Sequence, residues 1–325
     1  MSRLSKIDPA NQANTLDSPV FVIGPLRSGS TLLRLLMNHH PQIYMFGEFE
    51  GAVSQAKGDD WPPIHEYWRF VKTDRQTSAM NLLIDQTLDY PDLVKDFLAQ
   101  HYARNPKPII GASIHSRVDL LLKLWPNARL IHLHRDPRDV ARSCIGMGWV
   151  GNVYEGAKIW VEFEARRKKL QEQENANQSI SLSYERLVSD PEIELTRVCE
   201  FLSLPYDEKM IEIEEGTTYQ RPSVKYANQW MSRLSPREIR WVESQAAHLM
   251  EEQGYTVTHK SQSKVSRIEK IFILLQSRYY RATFNIKKWG AFLWLQHVIA
   301  KRSGIEAWID HVKIRTNSID RAFLK

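Results

Sequence analysis

Short apolar runs separated by longer stretches of helix-like periodicity recur along the first two hundred residues. Pro19–Gly24 (PVFVIG) is apolar and β-branched without a polar break, the pattern of a strand buried on both faces of a parallel sheet. Gly24–Gly29 is a turn, and from Thr31 onward (TLLRLLMNH) apolar residues return at helical spacing, so strand, glycine turn and helix open a βα unit. A helical middle, rich in aromatics and charges, is expected from about Trp61 to Tyr102. Pro108–Gly111 (PIIG) precedes a leucine-rich helix (VDLLLKLW), and Arg129–His134 (RLIHLH) is a second strong strand. Asp136-Pro137 starts a helix after it: Asp is a favoured N-cap, Pro suits the first helical position, and Asp139 falls where a capping-box acid helps. A third strand is expected at Ser179–Tyr184, then a helix from about Pro191 to Leu202. Strands alternating with helices predict an α/β fold, a mostly parallel central sheet flanked by helices. Sites in such sheets lie beyond the carboxyl ends of the strands. That rule points to Gly24–Thr31, to Arg135 and to the vicinity of Tyr184.

Charge divides the chain. Residues 260–325 hold 14 lysines and arginines against 4 acids, a net +10, which leaves the first 259 residues at −4 against +6 overall. In this tail Ile268, Ile271, Phe272, Leu275, Trp289, Phe292 and Leu293 recur at the spacing of amphipathic helices. Two roles stay open for it: docking against the body of the protein, or lying on an anionic membrane surface. The expected organisation is a polar, unstructured stretch over 1–18, one α/β domain over 19–259 and a basic amphipathic helical extension over 260–325. The 2 cysteines, Cys144 and Cys199, form neither a disulfide framework nor a zinc site. The polar start lacks the apolar core of a signal peptide. The most apolar stretch, Trp289 to Ala300, is short of the roughly 20 residues a spanning helix needs. The expectation is a soluble, cytoplasmic protein, with peripheral membrane contact through the tail as an option and no nucleic-acid partner.

The turn Gly24-Pro-Leu-Arg-Ser-Gly-Ser-Thr31 has the G-x-x-x-x-G-x-[ST] spacing of a nucleotide phosphate loop. Its glycines let backbone N–H groups converge on an anion, and the following helix adds its positive end. The Walker lysine is absent: Ser30 follows Gly29, and the cation sits earlier, at Arg27. A kinase or ATPase normally needs that lysine on the β- and γ-phosphates.

The segment PLRSGSTLLRLLMNHHPQI resembles the 5′-phosphosulfate loop of sulfotransferases that use 3′-phosphoadenosine 5′-phosphosulfate (PAPS), particularly the Golgi and bacterial type related to tyrosylprotein sulfotransferases. The resemblance implies a P-loop-like three-layer fold and a hydroxyl-bearing acceptor (glycan, lipid, small alcohol or tyrosine). By it, Arg27, Ser28, Gly29, Ser30 and Thr31 cradle the 5′-phosphosulfate. His134-Arg-Asp-Pro-Arg-Asp-Val-Ala-Arg-Ser143 resembles the family's 3′-phosphate element, whose Arg and Ser eight positions apart match Arg135 and Ser143. A fixed guanidinium and a hydroxyl suit an isolated phosphomonoester. Arg138 and Arg142 read instead as solvated. Ser183-Tyr-Glu-Arg-Leu-Val188 with Asp190-Pro191 looks like the family's stretch that ends a strand beside the adenosine, making Tyr184 either a nucleoside contact or a strand-end core tyrosine. Arg221-Pro-Ser-Val-Lys225, with the segment from Trp230 to Pro236, resembles the late loop that closes over the nucleotide, with Ser223 and Lys225 as candidate 3′-phosphate contacts. The resemblance runs from about Pro19 to Gln253.

Sulfuryl transfer needs a base for the acceptor hydroxyl and a cation to offset charge on the departing oxygen. Arg27 is the candidate cation. Glu48, in Phe46-Gly-Glu-Phe-Glu50, matches the carboxylate that serves as base in the Golgi enzymes. His115 is the rival, because cytosolic sulfotransferases carry a Lys-x-His before the second strand. This chain departs from that pattern, with Ser113-Ile114-His115 and no lysine. His132 and His134 fall on one side of a strand, yet no further ligand accompanies them, and no metal is expected. A P-loop kinase and a non-catalytic nucleotide-binding protein on the same fold are the alternatives.

Overall fold

Five parallel strands carry the molecule's sheet: β1 (Val20–Ile23), β2 (Ile43–Glu48), β3 (Ile109–Ile114), β4 (Arg129–His134) and β5 (Ser179–Ser183), in the order β2-β3-β1-β4-β5. The computed structural model describes residues 9–212, 221–259 and 264–323. In chain order the helices are α1 (Pro9–Asp17), α2 (Ser30–Asn38), α3 (Ile64–Thr73), α4 (Arg75–Ala79), α5 (Tyr90–Arg104), α6 (Leu121–Leu124), α7 (Pro137–Gly146), α8 (Val153–Gln171), α9 (Tyr184–Ser189), α10 (Pro191–Phe201), α11 (Trp230–Arg233), α12 (Pro236–Glu252), α13 (Arg267–Trp289), α14 (Ala291–Ser303) and α15 (Glu306–Phe323).

The chain divides into two compact units. The first, residues 1–64, 82–134 and 165–227, contains the whole sheet. β1 is its centre, pairing with β3 from Val20↔Gly111 to Ile23↔Ile114 and with β4 from Val20↔Arg129 to Ile23↔His132. All four β1 side chains are buried, because helices cover both faces of a parallel sheet and leave no polar side to alternate with. On one face Val20 and Val22 join Leu33, Leu36 and Met37 of α2 with Leu187, Val188, Leu195 and Val198 of α9 and α10. On the other, Phe21 meets Trp125 at 5.1 Å between ring centroids, and Phe49 meets Trp125 and His101 of α5. The result is the three-layer α/β arrangement. Gly111 has no room for a side chain: a Cβ there would strike the Val20 carbonyl and the Met45 sulfur, so glycine lets β3 sit against β1 and β2.

Two local expectations change. The polar N-terminal stretch holds a helix, α1, with Thr15 Oγ1 donating to Pro108 O at 3.3 Å; residues 1–8 lie outside the described residues. The leucine-rich run after β3 is only a 3₁₀ turn, Val118–Leu120, followed by the one-turn α6.

The second unit comprises residues 65–81, 135–164 and 228–325, so the basic extension belongs to it together with segments from well before residue 260. Its core gathers Val140, Ala141 and Cys144 of α7, Trp160 of α8, Trp241 and Val242 of α12, and Ile273 of α13. Helix α13 seats on glycines. A Cβ at Gly151 would meet the Ser277 backbone and one at Gly148 the Phe284 ring, while Asn152 Nδ2 donates to Ile273 O at 2.8 Å. Glu269 accepts from Trp241 Nε1 at 2.7 Å and pairs with Arg240 at 2.6 Å. Farther along, α15 ties to α3 through Arg69 and Asp310, 2.6 Å apart, and Asn317 Nδ2 donates to Thr73 O. Among the described residues no helix is long and apolar enough to cross a membrane.

Candidate active site

The turn after β1 is built to leave a helix end bare. Ser28 N donates to Pro25 O at 3.0 Å, Arg27 stands at φ 72°, and Gly29 at φ 101° is the N-cap of α2. Only glycine adopts the Gly29 conformation without cost, and a Cβ there would also run into the Tyr184 ring. No side chain caps α2. Its first backbone bond runs from Leu33 N to Gly29 O, so the N–H groups of Ser30, Thr31 and Leu32 have no partner within the helix. The hydroxyl of Ser28 is buried and, among the described residues, lacks a hydrogen-bond partner. Bare amides, the positive helix end, hydroxyls at Ser28, Ser30 and Thr31 and the Arg27 cation together fit a phosphate-bearing group.

Neighbouring strands deliver the rest of this edge. His115 follows β3 directly and its ring is clamped. Nδ1 lies 2.8 Å from the Gly24 carbonyl, which can only accept, so Nδ1 carries a proton. In the neutral ring Nε2 is then an acceptor, 3.3 Å from Ser30 Oγ. The turn after β1 and the imidazole are thereby joined at both ring nitrogens. At the end of β2 the register to β3 shifts between Met45 and Glu48, where Gly47 takes φ 129°. This bulge brings Glu48 opposite Ser113, and Phe49 N donates to Ser113 O at 2.9 Å. Glu48 ends β2, and His115 directly follows the adjacent parallel strand β3, which in turn pairs with β1, the strand that leads into the loop.

Glu50 has no role in the sequence-based expectation, which assigns the base in Phe46–Glu50 to Glu48. Its carboxylate accepts the His115 amide at 2.8 Å and the Ser116 hydroxyl. Burial pushes the Glu50 carboxyl above the usual carboxylate range, against the opposing pull of His115 and Ser116; the Glu48 charge adds to the rise. Two acids two apart at a strand end were the visible signal, but the inward hold on Glu50 depends on His115 and Ser116, some 65 positions later.

Tyr184 is buried in the core cluster with Leu187 and Val188, and its ring lies against Gly29 at the turn after β1. The 3₁₀ turn Val224–Tyr226 packs on α9, the helix Tyr184 begins, and carries Ser223, half-buried, and Lys225, exposed with its ammonium 5.0 Å from the Tyr226 ring. His132 and His134 do share a side of β4, with ring centroids 5.8 Å apart. Burial, with His132 beside it, pushes the His134 imidazole down to about 4, against the pull of Glu185.

In the second unit Arg135 is joined directly to the last residue of β4. Its guanidinium lies 3.7 Å from Asp139, and its carbonyl accepts from Trp160 Nε1 at 2.9 Å. Ser143 is half-buried two turns into α7. Asp136 is the N-cap, as expected, accepting from Arg138 N, whereas Asp139 accepts the amide of Trp230 at 2.8 Å. Arg138 is the correction here. It is 2% exposed, paired with Asp136 at 2.6 Å and Glu243 at 3.0 Å, and its guanidinium lies 3.5 Å from the Trp230 ring centroid. The long-range partner Glu243 is what turned a presumed solvated arginine inward.

Comparisons with known proteins bear on the family and the fold. A family model described as "Sulfotransferase family" matches residues 19–208. Protein-tyrosine sulfotransferase A of Caenorhabditis elegans is 24% identical over 207 residues, covering 60% of this chain and 52% of that protein. An uncharacterized protein of Aquifex aeolicus is 23% identical over 226 residues, which cover 60% of this chain and only 26% of that protein. Among solved structures, the sulfotransferase domain of the Synechococcus PCC 7002 olefin synthase superposes with a TM-score of 0.54 at 21% identity, covering 74% of this chain and 95% of that one, and so shares the fold. Matched by that family model over more than half its length, the chain belongs to the sulfotransferase family.

Proposed function

We propose that this protein moves a sulfuryl group from PAPS to the hydroxyl of an acceptor. The observation that carries the proposal is the lysine-free loop whose bare helix end lies beside His115, in hydrogen-bond contact with Ser30. When bound, PAPS supplies the sulfuryl group and leaves as adenosine 3′,5′-bisphosphate. Arg27, Ser28, Gly29, Ser30 and Thr31 hold its 5′ end, and Arg135 with Ser143 holds the 3′-phosphate. Tyr184, packed on Gly29, contacts the nucleoside, and Ser223 and Lys225 add a late contact from the turn against α9. No metal is needed for any of these roles.

Glu48 takes the proton of the acceptor hydroxyl as general base, and Arg27 offsets the negative charge left on the departing phosphate. A specific observation supports His115 as a second candidate base: with Nδ1–H fixed on the Gly24 carbonyl, its Nε2 lone pair faces the loop. The acceptor is a hydroxyl of the phenol, glycan, lipid or alcohol type. A P-loop kinase is not favoured, because Ser30 stands where the phosphate-gripping lysine belongs.

Calorimetry tests the reading. Adenosine 3′,5′-bisphosphate should bind at least tenfold more tightly than ATP with Mg²⁺. The reverse order would restore the kinase. Bisphosphate binding without transfer from labelled PAPS to any phenol, alcohol, glycan or tyrosine peptide would leave a non-catalytic nucleotide-binding protein.

A further inference from the structure

Helix α13 has two apolar faces, and the fold uses one. Ile273 and Ser277 are buried on the side that seats on Gly148, Gly151 and Asn152. At 100° per residue the opposite side carries Ile268, Phe272, Leu275 and Tyr279, spaced i, i+4, i+7 and i+11, and these are between 56% and 82% exposed. Ile271, also exposed, widens the stripe. Isolated apolar side chains on a surface need no explanation, but a continuous ribbon over three turns marks a contact surface.

The charges around the ribbon identify its occupant. Arg267, Lys270, Arg278 and Arg281 are all exposed along one flank. The helix holds a single acid, Glu269, which is already engaged by Arg240 and Trp241 of α12. The next helix repeats the arrangement, with Phe292, Leu295 and Ile299 exposed and Lys301 and Arg302 in its last turn. A second copy of this chain laid on the same stripe would set one cationic rim against another. An anionic bilayer meets both requirements, because acyl chains accept the ribbon while arginine and lysine stems reach up to phosphate and carboxylate headgroups.

We propose that α13 is a peripheral membrane anchor, lying in the interfacial plane of an anionic bilayer with Phe272 and Leu275 as its apolar keel. Charged on one flank and held to its own unit on the other, it rests on the membrane and does not cross it.

Vesicle pelleting of the full chain tests this, with phosphatidylcholine vesicles compared with vesicles containing about one-third phosphatidylserine. The wild type should bind the anionic vesicles at least tenfold more tightly than the neutral ones, and lose most of that preference in 0.5 M salt. Phe272→Ser with Leu275→Ser should weaken anionic binding at least tenfold while circular dichroism and bisphosphate affinity stay unchanged. Arg278→Glu with Arg281→Glu should erase only the preference for phosphatidylserine. Failure of the wild type to pellet with anionic vesicles, or undiminished pelleting of both double variants, would overturn the proposal. So would a lipid-free wild-type dimer that Phe272→Ser with Leu275→Ser converts to a monomer, which would assign the stripe to self-association.

Discussion

Gly29 stands at φ 101° with the Tyr184 ring where a side chain would begin. Gly29→Ala therefore combines a left-handed alanine with a ring displacement, a strain on the order of 1–3 kcal/mol placed at the phosphate turn. Calorimetry should show adenosine 3′,5′-bisphosphate affinity lower by roughly tenfold or more. Unchanged affinity would place the nucleotide away from this turn. Glu48→Gln keeps the size of the side chain and removes its basicity. Bisphosphate binding should survive while kcat falls by about 10²–10⁴, the usual worth of a positioned base. A near-normal rate in Glu48→Gln, with the loss appearing in His115→Gln, would assign the base to the imidazole. At this scale the chain was most readable where structure is local: the glycine turn Gly24–Gly29 between strand and helix follows from spacing within eight residues. Glu50 was not readable, because its role depends on Ser116 and the His115 amide, which arrive from another strand.

Helix α7 is anchored by a buried charge cluster. Arg138 bridges Asp136 on its own N-terminus and Glu243 on α12, and Glu243 also accepts from Thr258 and the amide of His259. Arg138→Ala would leave two carboxylates buried without their cation, a loss of about 3–5 kcal/mol of stability that urea denaturation can measure. Burial alone would raise the Glu243 carboxyl, but the hydrogen bonds from Thr258 and His259 outweigh it and hold the group below the usual carboxylate range. Its stabilisation is thus complete above the ordinary carboxylate pKa and disappears as acid protonates the folded form. Strand β1, buried on both faces, announced itself as an unbroken apolar run. Strand β2 did not: Tyr44 and Phe46 alternate with Ile43 and Met45, Gly47 breaks the pleat, and the edge position is set by β3. Arg138 was misread for the same reason, since its second partner lies 105 residues away.

Over the whole molecule, buried imidazoles kept neutral add to the response to acid. Burial, with Arg104 nearby, pushes His101 down to about 4, and burial with His132 does the same to His134. An unfolded histidine titrates near 6.5, so between about pH 6.5 and 4 the unfolded chain binds protons the folded one refuses. Stability from these groups is intact above pH 6.5 and drains away toward pH 4. Denaturant midpoints at pH 7 and pH 4.5 should differ accordingly, and His101→Phe, which keeps the stack on Phe46, should narrow the gap; an unaltered gap would exclude His101 as a contributor. The strand–helix alternation and the charged tail were legible at this scale. The division into units was not, because residues 65–81 join a body otherwise built after residue 134.

The central place of β1 bears on how the protein comes into being. Val20 needs Gly111 on one side and Arg129 on the other, so β1 is made before either of its partners and is enclosed only after both. Until residue 129 and its neighbours have been made, PVFVIG is an apolar ribbon with two open edges. Through that interval the nascent chain is a natural client for chaperones that shield extended apolar segments, and the phosphate turn behind the ribbon takes shape only when the sheet closes around it.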